Sequence, residues 1–210
     1  MSRLLETPMG IHGAGMTAGD LEARLGFGGV EINQDGPITD EEADLIAKKI
    51  AAKLPERIYA YSRGSAALNK AFLDDDMPAS VPPVTYIAPA ALRSRWGTPP
   101  IPKLPAGSIT IVGDSDRNIP VKQACKIASA AGTDLYIYPD KHHTSILYTG
   151  GSTQGATKLD PGKCLADKEM PDWGDETVEK DSPKLQTQKA RVRDLTGEAL
   201  VRAYIFETIR

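Results

Sequence analysis

The sequence predicts an α/β protein with a mainly parallel sheet and helices on both faces, arranged in three layers. Two observations lead to this fold class. Apolar strand-like segments alternate with helix-like segments from about residue 8 to residue 148, and strands joined through helices pair in parallel. The polar residues that could take part in catalysis or binding follow strand-like segments, which is where ligands bind in sheets of this kind.

The predicted strands are short apolar runs that end at turn-forming residues, a pattern typical of strands buried on both faces. They cover residues 8–11, 29–32, 57–61, 84–88, 108–112 and 135–138. The first of them is weak because Pro8 and Gly10 interrupt it.

Helices are predicted in three of the connections. The first begins at Thr39, which has capping-box spacing to Glu42, and ends at Pro55. The second follows residues 57–61, and the third begins near Pro120 and ends at Gly132. Their apolar faces contain Ala43, Ile46, Ala47, Ile50 and Leu54 in the first helix, Ala67, Leu68, Ala71 and Phe72 in the second, and Val121, Ala124, Cys125 and Ala128 in the third.

Composition excludes several classes of protein. The 210 residues include 25 basic and 28 acidic side chains, for a net charge of −3, which argues against a basic nucleic-acid-binding surface. We find no apolar run of the roughly 18–20 residues that span a membrane. We also expect no signal peptide, because the first residues contain no apolar stretch of sufficient length. Cys125 and Cys164 make neither a disulfide framework nor a zinc cluster. We therefore expect a soluble cytoplasmic protein with no metal, nucleic-acid or membrane partner.

The chain changes character after residue 149. We predict a core in residues 1–149, a polar, loop-rich extension in 150–182, and a C-terminal helix in 183–210 that packs back on the core. A partner-binding role for that helix remains the alternative. Residues 150–210 would then join a homo-oligomer or a larger assembly such as a virion.

Ser62 lies between a predicted buried strand and a helix, in the sequence Ala60-Tyr61-Ser62-Arg63-Gly64. A serine on such a tight turn projects its hydroxyl above the sheet edge, next to the positive end of the helix dipole. Small residues are needed two positions to either side, because strand and helix approach closely there. The alternative is an ordinary serine that caps the helix.

Asp116 and His143 supply the groups that a serine nucleophile needs, a base and a carboxylate that orients it. Each follows a predicted strand, so the chain order is Ser, Asp, His. With His12-Gly13 after an early strand and Gly113-Asp114-Ser115-Asp116 before Pro120, these residues give the chain four motifs in order. In these motifs, over residues 8–148, the sequence resembles the α/β-hydrolase family.

The resemblance implies a role for each of these residues. Ser62 would be the nucleophile, His143 the general base and then acid, and Asp116 the group that orients His143. The oxyanion hole would come from the backbone N–H groups of Arg63 and Ala14, with His12, Gly13 and Gly64 as supporting residues. No cofactor is implied.

Two of these assignments have competitors in the sequence. Asp114 could replace Asp116, although the family usually places its acid three residues after the glycine that ends the strand. His142 could replace His143, although Thr144 and Ser145 after His143 fit the family pattern better.

The sequence therefore supports two functions. The first is a serine hydrolase that cleaves a small carboxylic ester or related acyl bond, since the proline-rich residues 89–107 are too short for a large lipid-binding lid. The second is a non-catalytic protein that keeps the fold and binds neighbouring molecules through its C-terminal extension.

Overall fold

The computed structural model describes residues 7–74, 77–90 and 100–166. These residues form one seven-stranded sheet with the order β2-β1-β3-β4-β5-β6-β7, parallel except for β7. The strands are β1 (Met9–Ile11), β2 (Gly29–Val30), β3 (Ile58–Tyr61), β4 (Val84–Ile87), β5 (Ile109–Gly113), β6 (Asp134–Tyr138) and β7 (Thr157–Leu159). The predicted fold class is confirmed, since all six predicted strands are present.

Helices cover both faces of the sheet. They are α1 (Ala18–Leu25), α2 (Asp40–Lys53), α3 (Arg63–Leu73), α4 (Val121–Ala131) and α5 (Pro161–Ala166), with a 3₁₀ turn at Ser145–Thr149. Met9 and Ile11 pack in the core that includes apolar residues of α2 and α3. Gly10 faces α1 instead, because a Cβ there would lie 2.8 Å from Leu21 Cδ2. Alternate residues of one strand thus contact helices on opposite faces. In the described part of the chain, every helix is too short or too polar to cross a membrane.

Helix α1 was not predicted from the sequence. It begins with a capping box between Thr17 and Asp20 and ends at Gly26, whose φ is 81°. Leu21 is its one buried residue, so the apolar spacing that revealed the other helices is absent.

Residues 150–166 contain regular structure that the sequence did not predict within the extension assigned to 150–182. Strand β7 pairs antiparallel with β6, and a disulfide joins Cys164 of α5 to Cys125 of α4. The strand was missed because it lies at the sheet edge with two of its three residues exposed, and therefore shows no apolar alternation. Residues 167–182 and the predicted C-terminal helix at 183–210 lie outside the described residues.

We expect the disulfide to stabilise the fold. It closes a separation of 39 residues between buried positions, for which the loop-closure entropy gives a stabilisation of about 4 kcal/mol. Cys164→Ala should therefore lower the Tm by several degrees. Wild-type protein refolded in dithiothreitol should have the same Tm as the variant. Two titratable thiols in unreduced protein, with a Tm insensitive to the reductant, would contradict the pairing. Because disulfides are rare in cytosolic proteins, a titration that finds no free thiols would argue against the predicted cytoplasmic location.

Candidate functional site

The candidate site lies at the carboxyl edge of the sheet, where the strand order reverses. Strand β1 is flanked by β2 on one side and β3 on the other, so the chain leaves these strands in opposite directions and opens a crevice between the loops. His12 and Gly13 follow β1, and Ser62 follows β3. A Cβ on Gly13 would lie 3.0 Å from the Cβ of Ser62, so the two loops are in close contact.

Ser62 has a backbone conformation that is unusual for a non-glycine residue, with φ 48° and ψ −121°. Such strain persists only where the surrounding structure holds it, and it concentrates at functional sites. The Ser62 N–H donates to the carbonyl of Ile87, and its own carbonyl accepts from the N–H of Ala90 and, at 2.8 Å, from the Ser65 hydroxyl. These bonds fix the turn between β3 and α3, which begins at the next residue.

Gly64 allows this turn to pack against β1. A Cβ at this position would lie 2.5 Å from the carbonyl oxygen of His12 and 2.6 Å from that of Ile11. Both contacts are with backbone atoms, which cannot move aside cheaply. The small residue expected from the sequence at this position is therefore required by the structure.

Gly64→Ala should destabilise the protein by about 3 kcal/mol, because the added methyl group overpacks a rigid contact. Gly19→Ala is the matched control, since Gly19 is also the second residue of its helix and its Cβ would meet nothing closer than 3.7 Å. That variant should be neutral or more stable by about 0.5–1 kcal/mol. Urea unfolding measures both, and equal free energies of unfolding for the two variants would refute the packing argument.

Ser62, His143 and Asp116 form one hydrogen-bonded line. The Ser62 Oγ lies 2.9 Å from His143 Nε2, and His143 Nδ1 lies 2.8 Å from Asp116 Oδ2. The other carboxylate oxygen of Asp116 accepts the N–H groups of Asn118 and Ile119, both at 2.9 Å. An ionised carboxylate can only accept, so His143 donates from Nδ1 and leaves Nε2 free to accept the Ser62 proton.

Tyr61 supports His143 from the strand that precedes Ser62. Its hydroxyl donates to the His143 carbonyl at 3.2 Å, and the two rings have centroids 5.2 Å apart. Burial raises the pKa of Tyr61 to about 12, so the hydroxyl keeps its proton and remains a donor. No sequence pattern predicts this contact, because Tyr61 is one residue of an apolar strand segment and lies 82 positions from His143.

The competing residues point elsewhere. Asp114 is exposed and accepts a hydrogen bond from the Ser115 hydroxyl, while the His142 ring bonds to the Ser115 carbonyl at 3.0 Å. The loop that carries both histidines approaches β5 at Gly113, where a Cβ would lie 1.9 Å from the Lys141 carbonyl oxygen. The structure thus brings His143 and Asp116 to Ser62, and not His142 and Asp114.

His12 is buried and holds the loop after β1. Its Nε2 accepts the Ile32 N–H at 3.0 Å, so that nitrogen carries no proton and Nδ1 donates to the Gly13 carbonyl at 2.9 Å. Glu31 Oε1 lies 3.3 Å from the same Nε2, but with Nε2 unprotonated the contact is not an ion pair. This geometry suits the supporting role expected for His12.

The two predicted oxyanion donors, the backbone N–H groups of Ala14 and Arg63, have no hydrogen-bond acceptor within residues 7–74, 77–90 and 100–166.

The Arg63 side chain is fully buried and forms an ion pair with Glu42, with Nη1 2.7 Å from Oε1. Burial alone would raise the pKa of Glu42, but hydrogen bonds from Arg63 and from backbone N–H groups outweigh it and lower that pKa. The sequence alone predicts for Glu42 only the capping box of α2.

Comparison with solved structures identifies the fold. A YdeN-like protein from Pectobacterium atrosepticum, provisionally described as a hydrolase, superposes with a TM-score of 0.55 at 14% identity, covering 71% of this chain and 83% of that one. The chain has the α/β-hydrolase fold.

Two further solved structures with weaker similarity to this α/β-hydrolase-fold chain are an esterase domain from Rhodothermus marinus and a provisional α/β-superfamily hydrolase from Xanthomonas campestris pv. campestris. The first has a TM-score of 0.47 at 11% identity, covering 73% of this chain and 86% of that one. The second has a TM-score of 0.48 at 18% identity, covering 70% and 94%. No protein-family model matches the sequence, and no curated protein does. At 14% identity, the similarity to the YdeN-like structure shows the fold and not the reaction.

Proposed function

We propose that this protein is a serine hydrolase that cleaves a carboxylic ester or a related acyl bond through an acyl-enzyme on Ser62. The observation that carries the proposal is the 2.9 Å distance between Ser62 Oγ and His143 Nε2 at a strained turn. Nucleophile and base within hydrogen-bond reach, with the base oriented by a third group, are the geometric signature of this chemistry.

In the proposed reaction, His143 Nε2 takes the Ser62 proton while Oγ attacks the acyl carbon. Asp116 stabilises the imidazolium that forms. The carbonyl oxygen becomes an oxyanion, for which the N–H groups of Arg63 and Ala14 are the proposed donors. The tetrahedral intermediate then collapses as His143 gives its proton to the leaving alcohol.

Hydrolysis of the acyl-enzyme repeats these steps with water as the nucleophile. His143 takes a proton from the water, the oxygen attacks the Ser62 ester, and the proton returns to Oγ as the acid is released. Each cycle consumes one ester and one water and leaves the protein unchanged.

The non-catalytic alternative does not require this geometry. A protein that uses the fold only to bind neighbours has no need to align a strained serine with a histidine and a buried carboxylate, since a strained backbone costs stability. The alignment therefore favours the enzyme.

Two assays on the purified protein test the proposal: hydrolysis of p-nitrophenyl acetate and covalent labelling by a fluorophosphonate probe. We expect hydrolysis with saturation kinetics, and inactivation by the probe in step with its incorporation into the protein. Folded protein that neither cleaves the ester nor takes up the probe would favour the non-catalytic alternative.

A further inference from the structure

Arg63 follows the proposed nucleophile directly, yet its side chain leads away from the site into a buried network. All five of its N–H donors have acceptors in the described residues. Nε donates to the Gly36 carbonyl, Nη1 to Asn33 O at 2.8 Å and Glu42 Oε1 at 2.7 Å, and Nη2 to Glu42 Oε2 at 2.9 Å and to the Gly36 and Pro37 carbonyls. Arg63 therefore holds the loop of residues 32–37 between β2 and α2, through the carbonyls of residues 33, 36 and 37.

Glu42 completes the network from the first turn of α2. Besides Arg63, its carboxylate accepts the backbone N–H groups of Asn33 and Thr39, both at 3.0 Å. Each carboxylate oxygen thus has two donors, and only 4% of Glu42 is exposed. Removing one partner from such a pair leaves a buried charge without compensation.

The same loop also holds the chain after β1. The Ile32 N–H donates to His12 Nε2 at 3.0 Å, and the Gly15 N–H donates to the Gln34 carbonyl at 2.8 Å. His12 Nδ1 in turn holds the Gly13 carbonyl. Because a peptide bond is planar and trans, fixing the Gly13 carbonyl also fixes the direction of the Ala14 N–H.

We propose that Arg63 and Glu42 are a positioning pair for the oxyanion site: through residues 32–37 they set the distance between the backbone N–H groups of Arg63 and Ala14. This inference rests on the proposed function. Neither side chain touches the reacting atoms. Both donors are attached to the same loop, one through the Arg63 side chain and the other through His12 and Gly15. A shift of the loop therefore moves one donor relative to the other.

Glu42→Gln tests the pair with a change of almost no volume. A misplacement of about 1 Å in a positioned group costs on the order of 10²-fold in rate, so we expect kcat for p-nitrophenyl acetate to fall about 10²-fold with KM nearly unchanged. Affinity for phenylboronic acid should fall by a similar factor, because its tetrahedral adduct with Ser62 places an oxygen in the oxyanion site. Glu41→Gln, an exposed neighbour in the same helical turn, should leave both values unchanged.

A second variant keeps the test decisive if Glu42→Gln folds poorly. The double change Arg63→Met with Glu42→Leu removes both charges together, so neither is left buried without its partner. The backbone groups of Asn33, Gly36, Pro37 and Thr39 that lose a side-chain partner belong to residues that are not fully buried, so they can bond to water instead. We expect a stable protein with the same loss of kcat and of boronate affinity. A folded double variant with wild-type kcat and boronate affinity would overturn the inference. Losses of kcat and boronate affinity that merely follow the fall in Tm in both variants would also overturn it, because they would reflect general destabilisation.

The two proposals fail in different ways. If wild-type protein neither hydrolyses esters nor takes up the fluorophosphonate, the proposed function is wrong and the positioning role falls with it. If the wild type is active and both variants retain its kcat and boronate affinity, only the positioning role is wrong.

Discussion

Replacing Ser62 by alanine is expected to lower kcat for p-nitrophenyl acetate by about 10⁶-fold, the loss typical of removing the nucleophile of a triad that acts as a unit. The change removes a single oxygen atom, whose hydrogen-bond partner is His143 Nε2. Alanine carries a Cβ as serine does, so it meets the same steric restriction at φ 48°. The bonds of the Ser62 backbone that hold the turn do not involve the Ser62 hydroxyl. Circular dichroism and Tm should therefore be close to those of the wild type.

Ser115→Ala is the control for the loss of a hydroxyl at the same edge of the sheet. Ser115 follows β5, and its hydroxyl donates to Asp114, a residue with no role in the proposed reaction. We expect wild-type kcat for this variant. Activity retained by a folded Ser62→Ala protein would remove Ser62 from the mechanism.

Asp116→Asn is expected to lower kcat by about 10⁴-fold at neutral pH. Oδ1 of Asp116 accepts two backbone N–H groups, so in the variant the amide oxygen keeps that position and the NH₂ group faces His143. A donor opposite Nδ1 forces the imidazole to carry its proton on Nε2. His143 then donates to Ser62 and can no longer accept its proton.

The neighbouring acid provides the matched control for this change. Asp114→Asn removes the same charge from the same loop, but Asp114 is exposed and lies outside the line from Ser62 to His143. Its kcat should equal that of the wild type. If the two variants lose activity equally, the loop's negative charge matters and the tautomer argument fails; if neither loses activity, Asp116 has no catalytic role.

The fold could be predicted where burial leaves a mark on the sequence. Strands β4 and β5 are buried on both faces, and residues such as Val84, Ile87 and Ile111 form continuous apolar runs. Helix α1 and strand β7 were missed because they bury little: α1 buries Leu21, and β7 is an exposed edge strand. Local patterns report burial, so elements with little buried surface leave no such pattern.

The candidate site could be predicted as far as chain order and strand ends allow. Strands that run parallel bring their carboxyl ends to one edge, which is why Ser62, Asp116 and His143 could be grouped from sequence. The choice between His142 and His143 could not be made with the same force. In the structure it follows from the contact of Lys141 with Gly113 and from the Ser115 carbonyl that binds His142.

Contacts between residues far apart in sequence account for what was missed. Arg63 with Glu42, Tyr61 with His143, and Cys125 with Cys164 each join segments that no periodicity connects. Glu42 illustrates the difficulty: its capping-box spacing to Thr39 is a local signal and was recognised, whereas its pairing with Arg63 depends on the tertiary structure.

The most direct test of the central claim is to locate the acyl group during turnover. Protein mixed with p-nitrophenyl acetate and quenched in acid should carry one acetyl group, and peptide mapping by mass spectrometry should place it on Ser62. Asp116→Asn should accumulate it far more slowly, and Ser62→Ala should carry none. An acetyl group on another residue of an active protein, or turnover with no covalent species on Ser62 under conditions where the burst of p-nitrophenol demands one, would contradict the account.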